Sequence, residues 1–246
     1  MAKIEFNEDG SHIIKTIQDS VRTEKINVQP GDYTTRAVSR VPRLTLAGRL
    51  GVTTLTGVLD YLNNGLDEEA RPNVFITVDS PTSVTITDQI SKNDDDRFEP
   101  LVAAADTPNL IFDKFISRQE AMIMLQARFV PTDARKVLLA ALGNIVADEE
   151  LQQEDDGVGQ RVTTQKGINR SEEKIVNPVL LRPFRTFTEI EQPESPFIVR
   201  LHQSDDDIKV AIFEADGGAW RNTARQSIKA FLEAGLNEDS KVPVIA

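Results

Sequence analysis

The sequence predicts an α+β fold, from two kinds of segment that occupy different parts of the chain. Capped stretches with apolar residues at helical spacing are set among short runs of β-branched and aromatic residues bounded by turn formers. Near the middle the texture changes at an acidic, glycine-containing stretch, Asp148 to Gln160. After it, β-type runs dominate until a last long helical pattern.

Ser11 to Arg22 places Ile13, Ile14, Ile17 and Val21 on one helical face. Asn27 to Leu50 is interrupted by Gly31-Asp32 and Val41-Pro42 and is expected to hold short strands. Thr53 or Thr54 then caps a helix bearing Leu55, Val58, Leu59 and Leu62, which Gly65 ends. Asn73 to Asp79 and Ser83 to Thr87 are expected to be neighbouring strands joined through Ser80-Pro81, with Phe98 to Val102 as a third. Asp94, Asp95 and Asp96 form a charged loop before it. Ser117-Arg-Gln-Glu120 has capping-box spacing and opens a helix burying Ala121, Met122, Leu125 and Phe129. Val130-Pro131 stops that helix. Thr132 caps the next one, whose stripe is Val137, Leu138, Ala141, Leu142 and Ile145.

The acidic stretch 149–160 is expected to be a loop or hinge. It would separate an amino-terminal segment (1–50) and α+β part (51–148) from an antiparallel part (161–246). Strands are expected at Arg161 to Thr164, Lys174 to Val176, Val179 to Leu181, Phe184 to Ile190, Phe197 to His202 and Ile208 to Phe213, with Asp205 to Asp207 at a hairpin turn. The helical pattern from Ala219 to Leu236 carries Trp220, Ala224, Ile228, Phe231 and Leu236 on one face and is expected to pack on these strands. Val242 to Ile245 returns as a last strand.

The chain has 246 residues, no cysteine and a net charge of -11. That length supports a core without disulfide or metal staples. The absence of cysteine removes thiolate chemistry, cysteine-based zinc sites and iron-sulfur clusters, and points to a reducing cytoplasm. The longest apolar runs, such as Val74 to Val78, fall far short of the ~20 residues that span a bilayer. The first residues mix charges where an export signal needs an apolar stretch, so neither membrane insertion nor export is expected. The acidic balance disfavours wholesale nucleic-acid coating, although screening over roughly 8 Å leaves room for a local basic strip.

Only His12 and His202 could supply an imidazole, and nothing in the sequence brings them together for a triad or a two-histidine metal site. The glycine patterns of phosphate-binding loops are missing, and no cofactor is implied. Carboxylates cluster at Asp94 to Asp96, Glu154 to Asp156, Asp205 to Asp207, and Glu214 with Asp216. Two converging clusters could hold magnesium, but aspartate runs at turns are ordinarily solvated loops, so no metal or catalytic residue is assigned.

Two stretches are candidates for interaction. Leu180 to Phe187 interleaves Arg182 and Arg185 with Phe184 and Phe187, and Arg200 lies on a nearby expected strand. Such sets can stack on single-stranded bases and neutralise phosphate, but alternation on a strand explains the pattern as well and would put at least one of the aromatics in the core. Phe213 to Trp220 runs a strand into Asp216, Gly217 and Gly218 and then a helix opened by Trp220. This is either a ligand contact at a helix start or a tight connection with Trp220 as core.

Asp155-Asp-Gly157 with Gln160, Pro183-Phe-Arg-Thr-Phe187, Gln192-Pro193, Ser195 and Glu214-Ala-Asp-Gly-Gly-Ala-Trp220, taken in order, resemble the YfdQ-like family of phage and prophage proteins. The likeness runs from Leu50 to the carboxyl end. The resemblance implies a phage-encoded protein acting inside a bacterium, and it transfers no catalytic residues. The function expected is therefore non-catalytic: self-assembly as a homo-oligomer, or binding to a host or phage protein, through edge strands and acidic loops. A nucleic-acid role accessory to recombination or replication is the alternative, and a magnesium-dependent nuclease the third.

Overall fold

The computed structural model describes residues 25–27, 32–34, 48–69, 72–90, 97–145, 152–155, 160–166, 169–204 and 207–246, with backbone alone at 25–27, 32–34, 152–155, 160–166, 169–174, 204 and 207. The helix expected over Ser11 to Arg22 and the Asp94 to Asp96 loop lie outside these residues.

The chain is α+β. A short antiparallel pair, β1 (Lys25–Asn27) and β2 (Asp32–Thr34), comes first. Strand β3 (Leu50–Val52) leads into helix α1 (Leu55–Asn63), whose first turn is closed by Gly57 N donating to Thr54 Oγ1 at 3.1 Å. Gly65, at φ +65°, follows its end, where a left-handed residue is needed. Strands β4 (Val74–Ser80), β5 (Ser83–Asp88) and β6 (Leu101–Ala104) form an antiparallel meander.

Strand β7 (Ile116–Ser117) precedes α2 (Arg118–Arg128), which Ser117 caps through Glu120 N, and α3 (Asp133–Asn144), which Thr132 caps through Arg135 N. In α3 the buried stripe is Leu138, Ala141 and Leu142, continued by Ile145. Val137 belongs to the expected stripe but stands 68% exposed, one position off that face.

The acidic stretch expected as a loop contains β8 (Gln152–Asp155). It pairs with β9 (Gln160–Lys166), which pairs in turn with β10 (Asn169–Ile175). Strands β11 (Val179–Leu181), β12 (Ser195–Ser204) and β13 (Asp207–Glu214) follow, the last two closing a hairpin at Ser204 opposite Asp207. Helix α4 (Trp220–Gly235) and β14 (Val244–Ile245) complete the chain. No strand forms over Phe184 to Ile190, contrary to the β-rich composition there.

Two cores result, and neither respects the seam expected at 149–160. In one, α2 and α3 pack Leu125, Phe129, Leu142 and Ile145 against Leu181, Phe197, Val199 and Val210 on the antiparallel sheet β11-β12-β13-β7. In the other, α1 and α4 pack Leu55, Val58, Ile228 and Leu232 against Ile76, Ile86 and Leu101 on the mixed sheet β14-β4-β5-β6-β3. Helix α4 thus lies on the first half's sheet and not, as expected, on the carboxyl-terminal strands. Strand β14 pairs in parallel with β4 beside it.

Candidate functional site

After Leu181 the chain leaves the sheet and crosses from one core to the other without regular structure, so its backbone groups need other partners. On the first core, Val130 N donates to Arg182 O at 2.8 Å and Phe184 N to Arg128 O at 3.0 Å. On the second, Phe187 is 1% exposed among the α1 and α4 side chains, and Glu189 Oε1 accepts from Leu55 N at 2.7 Å at the start of α1. Between these anchors the buried Gln192 side chain accepts from Arg185 N (3.0 Å) and Thr186 N (3.3 Å) and donates to Phe187 O (3.0 Å). Arg185, Thr186 and Phe187 are all buried in succession. A strand exposed on one face cannot achieve this, and a side chain that supplies backbone partners can.

The Arg185 guanidinium is the centre of the site. Nη1 donates to Glu214 Oε1 at 2.6 Å; Nη2 donates to Ser195 Oγ at 2.6 Å and Pro193 O at 3.3 Å. Its carbon lies 3.9 Å from the Trp220 ring centroid and 5.7 Å from that of Phe197. The cross-strand register sets Glu214 opposite Phe197, which brings the acceptor to this end of the sheet. Burial draws the Arg185 pKa down to about 10, opposed in part by Glu214 and Asp216. Arg185 Nε and Trp220 Nε1 are buried without a hydrogen-bond partner.

Asp216 organises the other side. Its carboxylate accepts from Gly218 N at 2.9 Å and Trp220 N at 3.0 Å, so the start of α4 is already filled by the chain's own anion. Gly217 and Gly218, at φ +61° and +84°, make the left-handed turn that the connection requires. Trp220 is half-buried: Arg185 stacks on it, and Arg221 lies 5.2 Å from its centroid.

The structure thus joins Arg185, Asp216, Gly217, Gly218 and Trp220 in one cluster and separates the other candidates from it. Arg182 is bound at the surface by Glu191 and, at 3.2 Å, by Glu194, and both carboxylates raise its pKa. Phe187 belongs to the second core, Phe184 is half-buried, and Arg200 lies on the half-exposed outer face of β12. Of the arginines and phenylalanines interleaved over 180–187, Arg185 and Phe187 are buried, so the four do not share one exposed face. Gln192, Ser195 and Glu214 complete the cluster but were not among the candidate site residues. Their place in the ordered signature was the sequence signal for them.

Among the described residues no three histidine or carboxylate side chains are placed to share a metal ion. Asp94 to Asp96, Asp156, Asp205 and Asp206 lie outside those residues. Among the described residues no helix is long and apolar enough to cross a membrane. No family model, curated protein or solved structure matches the chain.

Proposed function

We propose that this chain is a non-catalytic phage or prophage accessory protein that works inside a bacterial cell by self-assembly or by docking on a host or phage protein. One observation carries the reading: the charged groups of the signature cluster are spent on each other. Arg185 is held by Glu214, Ser195 and Pro193, and Asp216 by the backbone of the turn it caps. Such a cluster fixes a shape. The shape it fixes presents half-buried Trp220 among exposed Ala215, Gly217, Ala219 and Arg221. A tryptophan and an arginine set among small residues suit a protein contact, where those two side chains carry much of the binding energy.

The phage setting is supported by the residue order that resembles the YfdQ-like family. Light scattering after size exclusion, at micromolar concentration, tests the assembly. A defined oligomer is expected, broken by Ala219→Lys with the far-ultraviolet circular dichroism unchanged. A chain that stays monomeric and retrieves no protein from infected cells overturns the proposal.

A further inference from the structure

Helix α4 carries four charged residues, Arg221, Arg225, Lys229 and Glu233, and they recur at every fourth position, so all four lie on one inclined ridge. Arg221 and Glu233 are exposed; Arg225 and Lys229 are half-buried. The adjoining ridge, Asn222, Gln226, Ala230 and Ala234, is exposed throughout and uncharged. The opposite side, Ala224, Ile228 and Leu232, is buried.

For a helix on its own these charges are badly placed. Arg221 with Arg225, and Arg225 with Lys229, are like-charge pairs four residues apart. The cations begin in the first turn and Glu233 stands in the last, the reverse of what the helix dipole favours. The ion pair from Lys229 Nζ to Glu233 Oε1, at 3.7 Å, runs in the weaker order along the helix. Asp216 lies at the start of α4 and can offset Arg221, but Arg225 and Lys229 stand one and two turns further on. Several local conflicts gathered on one surface are where function is expected.

A second copy of the same helix, lying antiparallel, answers all of them. It brings to the cations the negative end of its dipole, its Glu233, and the exposed Glu238 and Asp239 beyond it, and its own cations meet the same groups of the first copy. The uncharged ridge, small at Ala230 and Ala234, lets the two helices approach. A uniformly negative partner such as a nucleic acid fits less well, because Glu233, Glu238 and Asp239, with Lys241 as their counter-charge, stand at the other end of the same helix.

We infer that two copies dock α4 against α4 across a two-fold axis near Ala230, with Arg225 and Lys229 of each turned toward Glu233 of the other, and Arg221 toward Glu238 and Asp239. The inference rests on the self-assembly proposed above and names its surface, with Ala219 and Trp220 at the rim of the contact.

Sedimentation equilibrium of the full chain at micromolar concentration tests it through a charge swap. The parent is expected to be a dimer that salt weakens. Arg225→Glu with Lys229→Glu in one variant, and Glu233→Lys in another, should each raise the dimer dissociation constant at least about tenfold, since like charges then face each other. An equimolar mixture of the two variants should recover a one-to-one heterodimer, which misfolding of either could not produce. A dimer indifferent to both variants, or an oligomer with an odd number of copies, overturns the inference and leaves self-assembly standing. Loss of the dimer without recovery on mixing also overturns it. A monomeric parent overturns it and leaves only docking on another protein from the proposal above.

Discussion

The Arg185 guanidinium carbon lies over the Trp220 ring, 3.9 Å from its centroid, while Nη1 holds Glu214 at 2.6 Å. The two residues belong to different segments, one irregular and one helical, and their contact closes the turn between β13 and α4. Arg185→Ala is expected to cost about 3 kcal/mol in urea unfolding, since it removes one partner of a buried pair and leaves Glu214 unmatched. Arg185→Lys should recover little, because an ammonium cannot reach Glu214 and Ser195 together. Arg185→Met with Glu214→Gln should recover most of the loss, as it keeps volume against Trp220 and removes the stranded charge.

The same burial gives an alkaline signature. Burial draws the Arg185 pKa down to about 10, below the ordinary arginine range. Between that value and the ordinary range the unfolded chain binds more protons than the folded one, so this group adds stability as pH rises through about 10 and nothing below it. The stability of the parent chain relative to Arg185→Met should therefore grow between about pH 9 and pH 11. Emission from the chain's one tryptophan should change over the same range in the parent and not in the variant. A difference that shrinks with pH contradicts the burial of this cation.

Gln192 is a second point of control. Its amide matches two backbone donors and two backbone acceptors, Phe187 O and, at 3.5 Å, Ile190 O. Gln192→Glu has the same shape but cannot donate to Phe187 O and adds a buried charge. It should cost more than Gln192→Met, each by at least about 1 kcal/mol, read as the shift in urea midpoint. Equal, negligible effects would mean that the segment holds its course without this side chain.

The helices were legible because their starts have local chemistry. Thr54, Ser117 and Thr132 each accept the backbone N–H that their spacing promises. What α4 packs on was not legible, since an apolar stripe shows that a face is buried and not which sheet buries it. The segment Phe184 to Ile190 misled for a related reason. Its phenylalanines, threonines and isoleucine have β propensity, but propensity describes residues that fit a pleated surface, and here Gln192 supplies partners that a neighbouring strand would have given. Convergence of Arg185 with Trp220 depends on that irregular path, so their order was visible and their contact was not.

Gly235 offers a test in which two effects oppose each other. It lies at the end of α4, where alanine is the better helix former by about 1 kcal/mol, so propensity alone predicts that Gly235→Ala stabilises. A Cβ there would stand 2.3 Å from Leu59 Cδ1 and 3.3 Å from its Cγ, so the Leu59 side chain would have to shift as a whole. Leu59 is 9% exposed on α1 and belongs to the second core, which leaves it little room. Overpacking of this kind costs about 1–3 kcal/mol, enough to reverse the sign. Gly235→Ala is expected to destabilise the chain in urea unfolding, and Leu59→Val should lessen its effect, giving a coupling of about 1 kcal/mol in a double-mutant cycle. If Gly235→Ala stabilises, α1 and α4 do not approach as closely as the Asn63 Nδ2 bond to Gly235 O, at 2.9 Å, requires.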